Sequence, residues 1–318
     1  MSDPSRFAPS MRGTFACAAL MLGLAAGACA GPGDGAPAET RSAVATGTGA
    51  SRNLDVLFVV DDAPGMEPMQ QALYDQIPTF MEMLSNPVSG LGNLHIGVIS
   101  ADVGAPGDAS ASLGCTTTGD TGKLQSVPRG GCTDSTITPG DSFISFVAGV
   151  PNFEQDSMAE VSISNVLRCI LPLGGGGCMF QQPLAAIARA LGADGAPPPA
   201  VNTGFLRPDA ALVIFILSNQ DDCSAPASSA LFSLGGKADD LANPLGPLAH
   251  YRCNAFGHLC VDPSGDPTAH ISPPLTPPAD AQGTAAAPTL DLVQCASNES
   301  GAYLTPVSSL LSEIRSLK

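Results

Sequence analysis

Two apolar runs constrain this chain more than anything else in it. Leu54 to Val60 reads LDVLFVV and Ala211 to Leu217 reads ALVIFIL, and neither alternates polar with apolar residues. A strand with water on one face alternates with period two. A continuous run marks a strand buried on both faces, as in a parallel sheet covered by helices. Leu94 to Ser100, LHIGVIS, supplies another strand between them. Met66 to Leu84 carries Met69, Leu73, Ile77, Phe80, Met81 and Leu84 at helical spacing. Pro68 falls in the first turn, where a proline is tolerated; Pro78 lies inside and predicts a kink or break. PLAAIARAL from Pro183 to Leu191 predicts a second helix. Residues 151–171 predict another, and Leu304 to Leu317 a closing one with Leu310, Leu311, Ile314 and Leu317 on one face. Strand, helix, strand, helix, strand is the α/β signature. The expectation is one domain over residues 54–318 with a mostly parallel central sheet flanked by helices, and Ala211 to Leu217 as its central strand.

The N-terminus reads as an address. Arg12, an apolar run from Phe15 and small residues before Cys29 have the layout of a secretory signal peptide over residues 1–28, with Met11 an alternative start. The run is too short for the ~20 residues that span a bilayer. Ala25-Ala26-Gly27-Ala28-Cys29 resembles the lipobox of bacterial lipoproteins, in which the cysteine is acylated; ordinary signal cleavage is the alternative. The absence of Asp at Ala30 implies outer-membrane sorting, against a secreted or periplasmic fate. Residues 29–53, rich in Gly, Ala, Pro, Ser and Thr, read as a flexible tether.

Ten cysteines fit export. Cys17 leaves with the signal and Cys29 takes the lipid, so Cys115, Cys132, Cys169, Cys178, Cys223, Cys253, Cys260 and Cys295 are left to form disulfides. Pairing 115 with 132 and 169 with 178 closes short local loops, and 223 with 253 and 260 with 295 is the non-crossing choice for the rest. They staple two insertions, near residues 104–150 and 225–290. A zinc site has no support, since no CxxC pair exists and the histidines lack HExxH spacing.

A net charge of −16 repels phosphate backbones and argues against nucleic acid as a partner. Enzyme motifs are missing too: there is no G-x-S-x-G elbow and no G-x-G-x-x-G after the first strand. Gly174 to Gly177 lacks the Lys-Ser/Thr of a phosphate loop and reads as a connector. His95, inside a strand, reads as a packed core residue, while His250, His258 and His270 fall in the second insertion. Asp61, Asp62, Asp102, Asp221 and Asp222 gather where strands end. Such ends line the ligand crevice of open α/β sheets, which makes these five a candidate rim for a basic partner or a weakly held calcium ion. Their plain alternative is structural, capping helices and making turns.

VLFVVDDAPGM, LHIGVISADVG, GGGGCMFQQPL, NTGFLRPDAALVIFILSNQDDCS and YRCNAFGHLC together resemble a group of von Willebrand factor type A lipoproteins of myxobacteria and their relatives, in the same order over residues 54–318. The resemblance implies a type A-like sheet and, in intact members, a divalent cation held by an Asp, two hydroxyls, a Thr and a second Asp. Here Asp61 remains, but Ala63 and Gly65 stand at the two serine places, Asn219 at the second Asp and Cys178 at the threonine. The resemblance therefore implies a degenerate site with no metal. It also implies a further strand after the closing helix, so one edge strand is expected to be lacking. The resulting expectation is a non-catalytic envelope lipoprotein, attached to the membrane only through its lipid, that binds another protein in the manner of an adhesion module. An extracytoplasmic α/β hydrolase is the alternative.

Overall fold

The structure is a computed structural model describing residues 53–85, 91–106, 114–130, 132, 136–233, 245, 251–262, 270–271 and 292–318. The signal, Cys29 and the tether up to residue 52 lie outside these residues, as does His250, while Asn53 opens the first strand; of His270 only the backbone is described. No helix among the described residues is long and apolar enough to cross a membrane.

The core is a five-stranded sheet built from β1 (Asn53–Val60), β2 (Asn93–Ser100), β3 (Ile144–Val147), β4 (Val150–Pro151) and β5 (Ala211–Leu217) in the order β4-β3-β2-β1-β5. β1 runs parallel to β2 and to β5, with Val56 beside Ile96 and Val213. β2–β3 and β3–β4 are antiparallel. The sheet is thus mixed, which corrects the mostly parallel expectation. The cause is a hairpin inside the first insertion: Ala148 and Gly149 both take positive φ, 52° and 79°, the geometry of a two-residue turn that matches strand twist.

Successive side chains of β1 point to opposite faces, and each face has its own core. Val56, Phe58 and Val60 pack with Ile77, Met81, Ile163, Val166 and Leu167, which brings α1 (Glu67–Leu84) and α2 (Ala159–Ile170) to one side. Leu57 and Val59 pack with Ala186, Ile187, Leu191 and Phe205, joined by Ile314 and Leu317, so α3 (Pro183–Leu191) and α5 (Val307–Arg315) cover the other. α1 runs unbroken through Pro78. Buried Ile77 and Met81 on either side of the proline hold the helix to the sheet, and the Arg168 guanidinium lies 4.0 Å over the Tyr74 ring, tying α2 to the turn before it. His95 is buried against Phe143 and Phe205, with Nδ1 2.8 Å from the Phe205 carbonyl, a packed core residue as read from the sequence.

The second correction concerns β5. Its outer edge pairs with no strand among the described residues, and Val213, Phe215 and Ile216 are 36%, 37% and 49% exposed. It is an edge strand and not a central one. The second insertion contributes α4 (Tyr251–Gly257) and a small sheet β7-β6-β8 from β6 (His258–Val261), β7 (His270–Ile271) and β8 (Val293–Ser297).

Four disulfides join Cys115–Cys178, Cys132–Cys169, Cys223–Cys253 and Cys260–Cys295. The last two are as expected, and the first two overturn the local pairings 115–132 and 169–178. Preference for the shortest loop misled because closure entropy rises only with the logarithm of loop length. Cys115 meets Cys178 in the apolar cluster around Phe180 and Phe232, and Cys132 meets Cys169 on α2.

Candidate functional site

The carboxyl ends of β1, β2 and β5 carry the five aspartates picked from the sequence, and the fold does bring them to one end of the sheet. It also commits them. Asp61, Asp62 and Asp102 are buried. Asp61 Oδ1 accepts from the Ala63 N–H at 2.8 Å and Oδ2 from the Ser218 hydroxyl at 2.6 Å. Asp102 Oδ1 accepts from Gly104 N–H and Oδ2 from Cys178 N–H. Asp222 accepts from Leu184 N–H at the start of α3 and from the Ser224 amide and hydroxyl. These are Asx turns and helix-end caps, the structural use of aspartate. Asp221 is the most open of the set, its side chain 39% exposed.

Three glutamines that the sequence reading missed complete the arrangement. Gln70 on α1 donates to the Asp61 carbonyl and to the Gly174 carbonyl, both at 2.8 Å. Gln181 Nε2 donates to Asp62 Oδ1 at 3.0 Å and to the Cys178 carbonyl; its Oε1 has no hydrogen-bond partner. Gln182 Nε2 donates to the Gly104 carbonyl, and its Oε1 accepts from Ala225 N–H. Phe180-Gln181-Gln182 thereby ties the loop after β2 to the loop after β5. The signal was present in FQQPL, two amides between apolar neighbours just before a helix. Gly177 of the glycine run has a local reason as well: a Cβ there would collide with the Asp62 carboxylate, while its N–H donates to the Asp62 carbonyl at 2.8 Å.

Burial dominates the electrostatics. Asp62 is pushed up from 3.8 to about 7 by desolvation, with the Gln181 hydrogen bond opposing and the charges of Asp102, Asp120 and Asp61 adding to the rise. Asp102 and Asp222 are also raised, each mainly by desolvation. Arg129 interacts electrostatically with Asp62 and Asp120, but among the described residues Asp62 and Asp102 make no ion pair like that of Arg207 Nε, 2.8 Å away, with buried Asp55 at the opposite end of β1. Above the strand ends sits a small apolar roof of Ala105, Phe180, Leu231, Phe232 and Leu304 with the Cys115–Cys178 and Cys223–Cys253 bridges.

The adhesion-site donor set does not fit a cation. Ala63 and Gly65 bring no side-chain oxygen, Cys178 is consumed in a disulfide, and both Asp61 oxygens accept hydrogen bonds from the protein itself. Asn219 is exposed beside them.

Among the described residues the hydrolase alternative is tested at His258. A cavity of about 110 Å³ is lined by Asp221, His258 and Ser297 among others. His258 Nδ1 lies 3.0 Å from the Asn254 carbonyl, and Nε2 lies 3.7 Å from Asp221, too long for a hydrogen bond. The Ser297 hydroxyl donates to Glu299 at 2.6 Å. Its proton is therefore directed to Glu299 and not to the imidazole, the reverse of what an activated nucleophile needs.

Comparison of the chain with protein-family models, with curated proteins and with solved structures returns no match.

Proposed function

We propose that this chain is a non-catalytic module of the cell envelope, held to the outer membrane by lipid on Cys29, that works by binding another protein. The observation that carries the reading is the state of the strand ends. In open α/β sheets this is where ligands and reacting groups sit, and here Asp61, Asp102 and Asp222 are spent on backbone N–H groups and Asp62 on the Gln181 amide, beside a disulfide-stapled apolar roof. A general acid or base needs a titratable group within reach of a substrate proton, and buried Asp61, Asp62 and Asp102 offer none to a molecule arriving from solvent. The acidic exterior of a −16 chain favours a basic partner. The lipid and the outer-membrane address rest on the signal anatomy and the residues around Cys29.

The test is photo-crosslinking of the lipidated full chain in intact cells, from reactive side chains placed at exposed positions. A discrete heteromeric adduct, together with detergent-phase partitioning that Cys29→Ser abolishes, is the expected result. Turnover of an ester or peptide panel that is lost in His258→Ala would overturn the non-catalytic reading. Crosslinks confined to the chain itself would overturn the binding reading.

A further inference from the structure

The two edges of the main sheet are built differently. β4, at one edge, is two residues long and ends in Pro151, two of the devices by which sheet edges avoid unwanted pairing. β5, at the other, is seven residues long, ALVIFIL, with no charge, proline or bulge in it. Val213 and Phe215 point to one face and Ile216 to the other, and all three are exposed. A long, uncharged edge with apolar side chains on both faces is a template for another strand.

What would cover it follows from charge and area. Asp209 stands exposed just before the strand and Asp221 just after it, the latter 39% exposed, with the Asn254 amide donating to it and the His258 ring 3.7 Å away. An incoming strand therefore meets a carboxylate at each end, which favours lysine or arginine in its flanks. A second copy would instead bring another −16 of charge. The apolar surface open at this edge is that of three side chains, Val213, Phe215 and Ile216, whereas a standard protein–protein interface takes about 20–30 residues and ~800 Å² from each partner. A single strand needs no such area, because backbone hydrogen bonds along the edge supply affinity and side-chain fit supplies specificity.

We infer that the open edge of β5 is a docking site for a β-strand of the partner protein, apolar on both faces and basic at its ends, which extends the sheet by strand addition. This rests on the protein-binding reading above and gives it a location and a partner chemistry. The probe is a labelled synthetic peptide with a Val, Ile and Phe run between Lys-Lys ends, titrated into the full chain by fluorescence anisotropy. Val213→Lys combined with Ile216→Lys, both at exposed positions, is expected to weaken binding by about tenfold or more, with circular dichroism verifying that the fold is kept. The same peptide with proline at its centre, or with Glu-Glu ends, is expected to lose at least as much. No binding by the Lys-ended peptide, equal binding by the double variant, or equal binding by the proline peptide overturns the inference. So does a wild-type dimer in sedimentation that the double variant dissolves, since that assigns the edge to a second copy. A heteromeric crosslink that survives in the double variant removes the edge proposal and leaves the binding reading standing; loss of every heteromeric crosslink in the wild type removes both.

Discussion

β1 and β5 are spelled in nearly the same alphabet, DVLFVV against LVIFIL, and lie side by side in register, yet they live in different solvents. From Val56 to Val60 every residue of β1 is at most 2% exposed, while β5 leaves Phe215 37% and Ile216 49% open. The difference arises because β1 has a strand on each side and β5 has one. An apolar run thus reports that a strand suits a dry environment, but whether it receives one is decided by segments elsewhere. In β1 the environment is realised as core. In β5 it is left open among the described residues, at the place where the proposed partner strand would dock.

The largest effect should come from the aromatic pair that bridges the two strands, Phe58 and Phe215, stacked at 5.2 Å. Phe58→Ala opens a cavity in the closed core and should cost about 3–5 kcal/mol in denaturant unfolding. Phe215→Ala removes a half-open ring and should cost roughly 1–2 kcal/mol, since part of its surface is already in water. Equal losses would mean that β5 is as enclosed as β1, and would break the comparison.

β1 also sets the fate of the carboxylates at its two ends. Asp55 is fully buried and paired with Arg207 Nε, with His95 and Lys318 at 3.7 and 3.8 Å. Arg207→Ala strips away its main partner and should cost about 3 kcal/mol, measured by the same unfolding experiment. Asp62 makes no such ion pair among the described residues, Arg129 acting on it only through space. Its folded pKa of about 7 lies above the ordinary 3.8, so between these values the native state holds a proton that the unfolded chain has released. Its contribution is therefore fullest below pH 4 and is lost as pH rises toward 7. Asp62→Asn, which keeps the acceptor for Gln181, should flatten that decline by on the order of 2–3 kcal/mol. The raised Asp102 and Asp222 retain the remainder of the slope. A variant with an unchanged pH profile would show that Asp62 is ionised in the fold. The smallest effect is expected at the open edge itself, where Ile216→Lys should change stability by less than about 0.5 kcal/mol; a loss of several times that would reveal a hidden neighbour on β5.

Much of this architecture could be read from local pattern. β1, β2, α1, α3 and α5 declare themselves through period and punctuation, and Pro183 with Gly192, whose φ is 76°, frames α3 from both sides. What escaped was long-range. The edge position of β5 depends on what lies beyond it: β3 and β4 add to the far side of β2, and no described strand pairs with the outer side of β5. Cys115 meets Cys178 across 63 residues because the loops after β2 and before α3 converge, and nothing near either cysteine says so. At the strand ends the aspartates were visible but their employment was not. Asp61 is engaged by Ser218 and Asp62 by Gln181, partners more than a hundred residues away, and only those partners separate a capped carboxylate from one that waits for a ligand.

The central claim, that this domain keeps its strand ends for itself and offers its edge to others, is tested most directly by residue-resolved hydrogen exchange of the full chain with and without the Lys-ended peptide. In the free protein the β1 amides and the Ala63 and Gly104 amides should be protected, and the outward-facing amides of β5 should exchange fast. Saturating peptide should slow those β5 amides by about tenfold or more while leaving Ala63, Gly104 and Leu184 unchanged. Peptide-dependent protection at Ala63, Gly104 and Leu184 with β5 unaltered would contradict the account and return the strand-end carboxylates to the role of a binding rim.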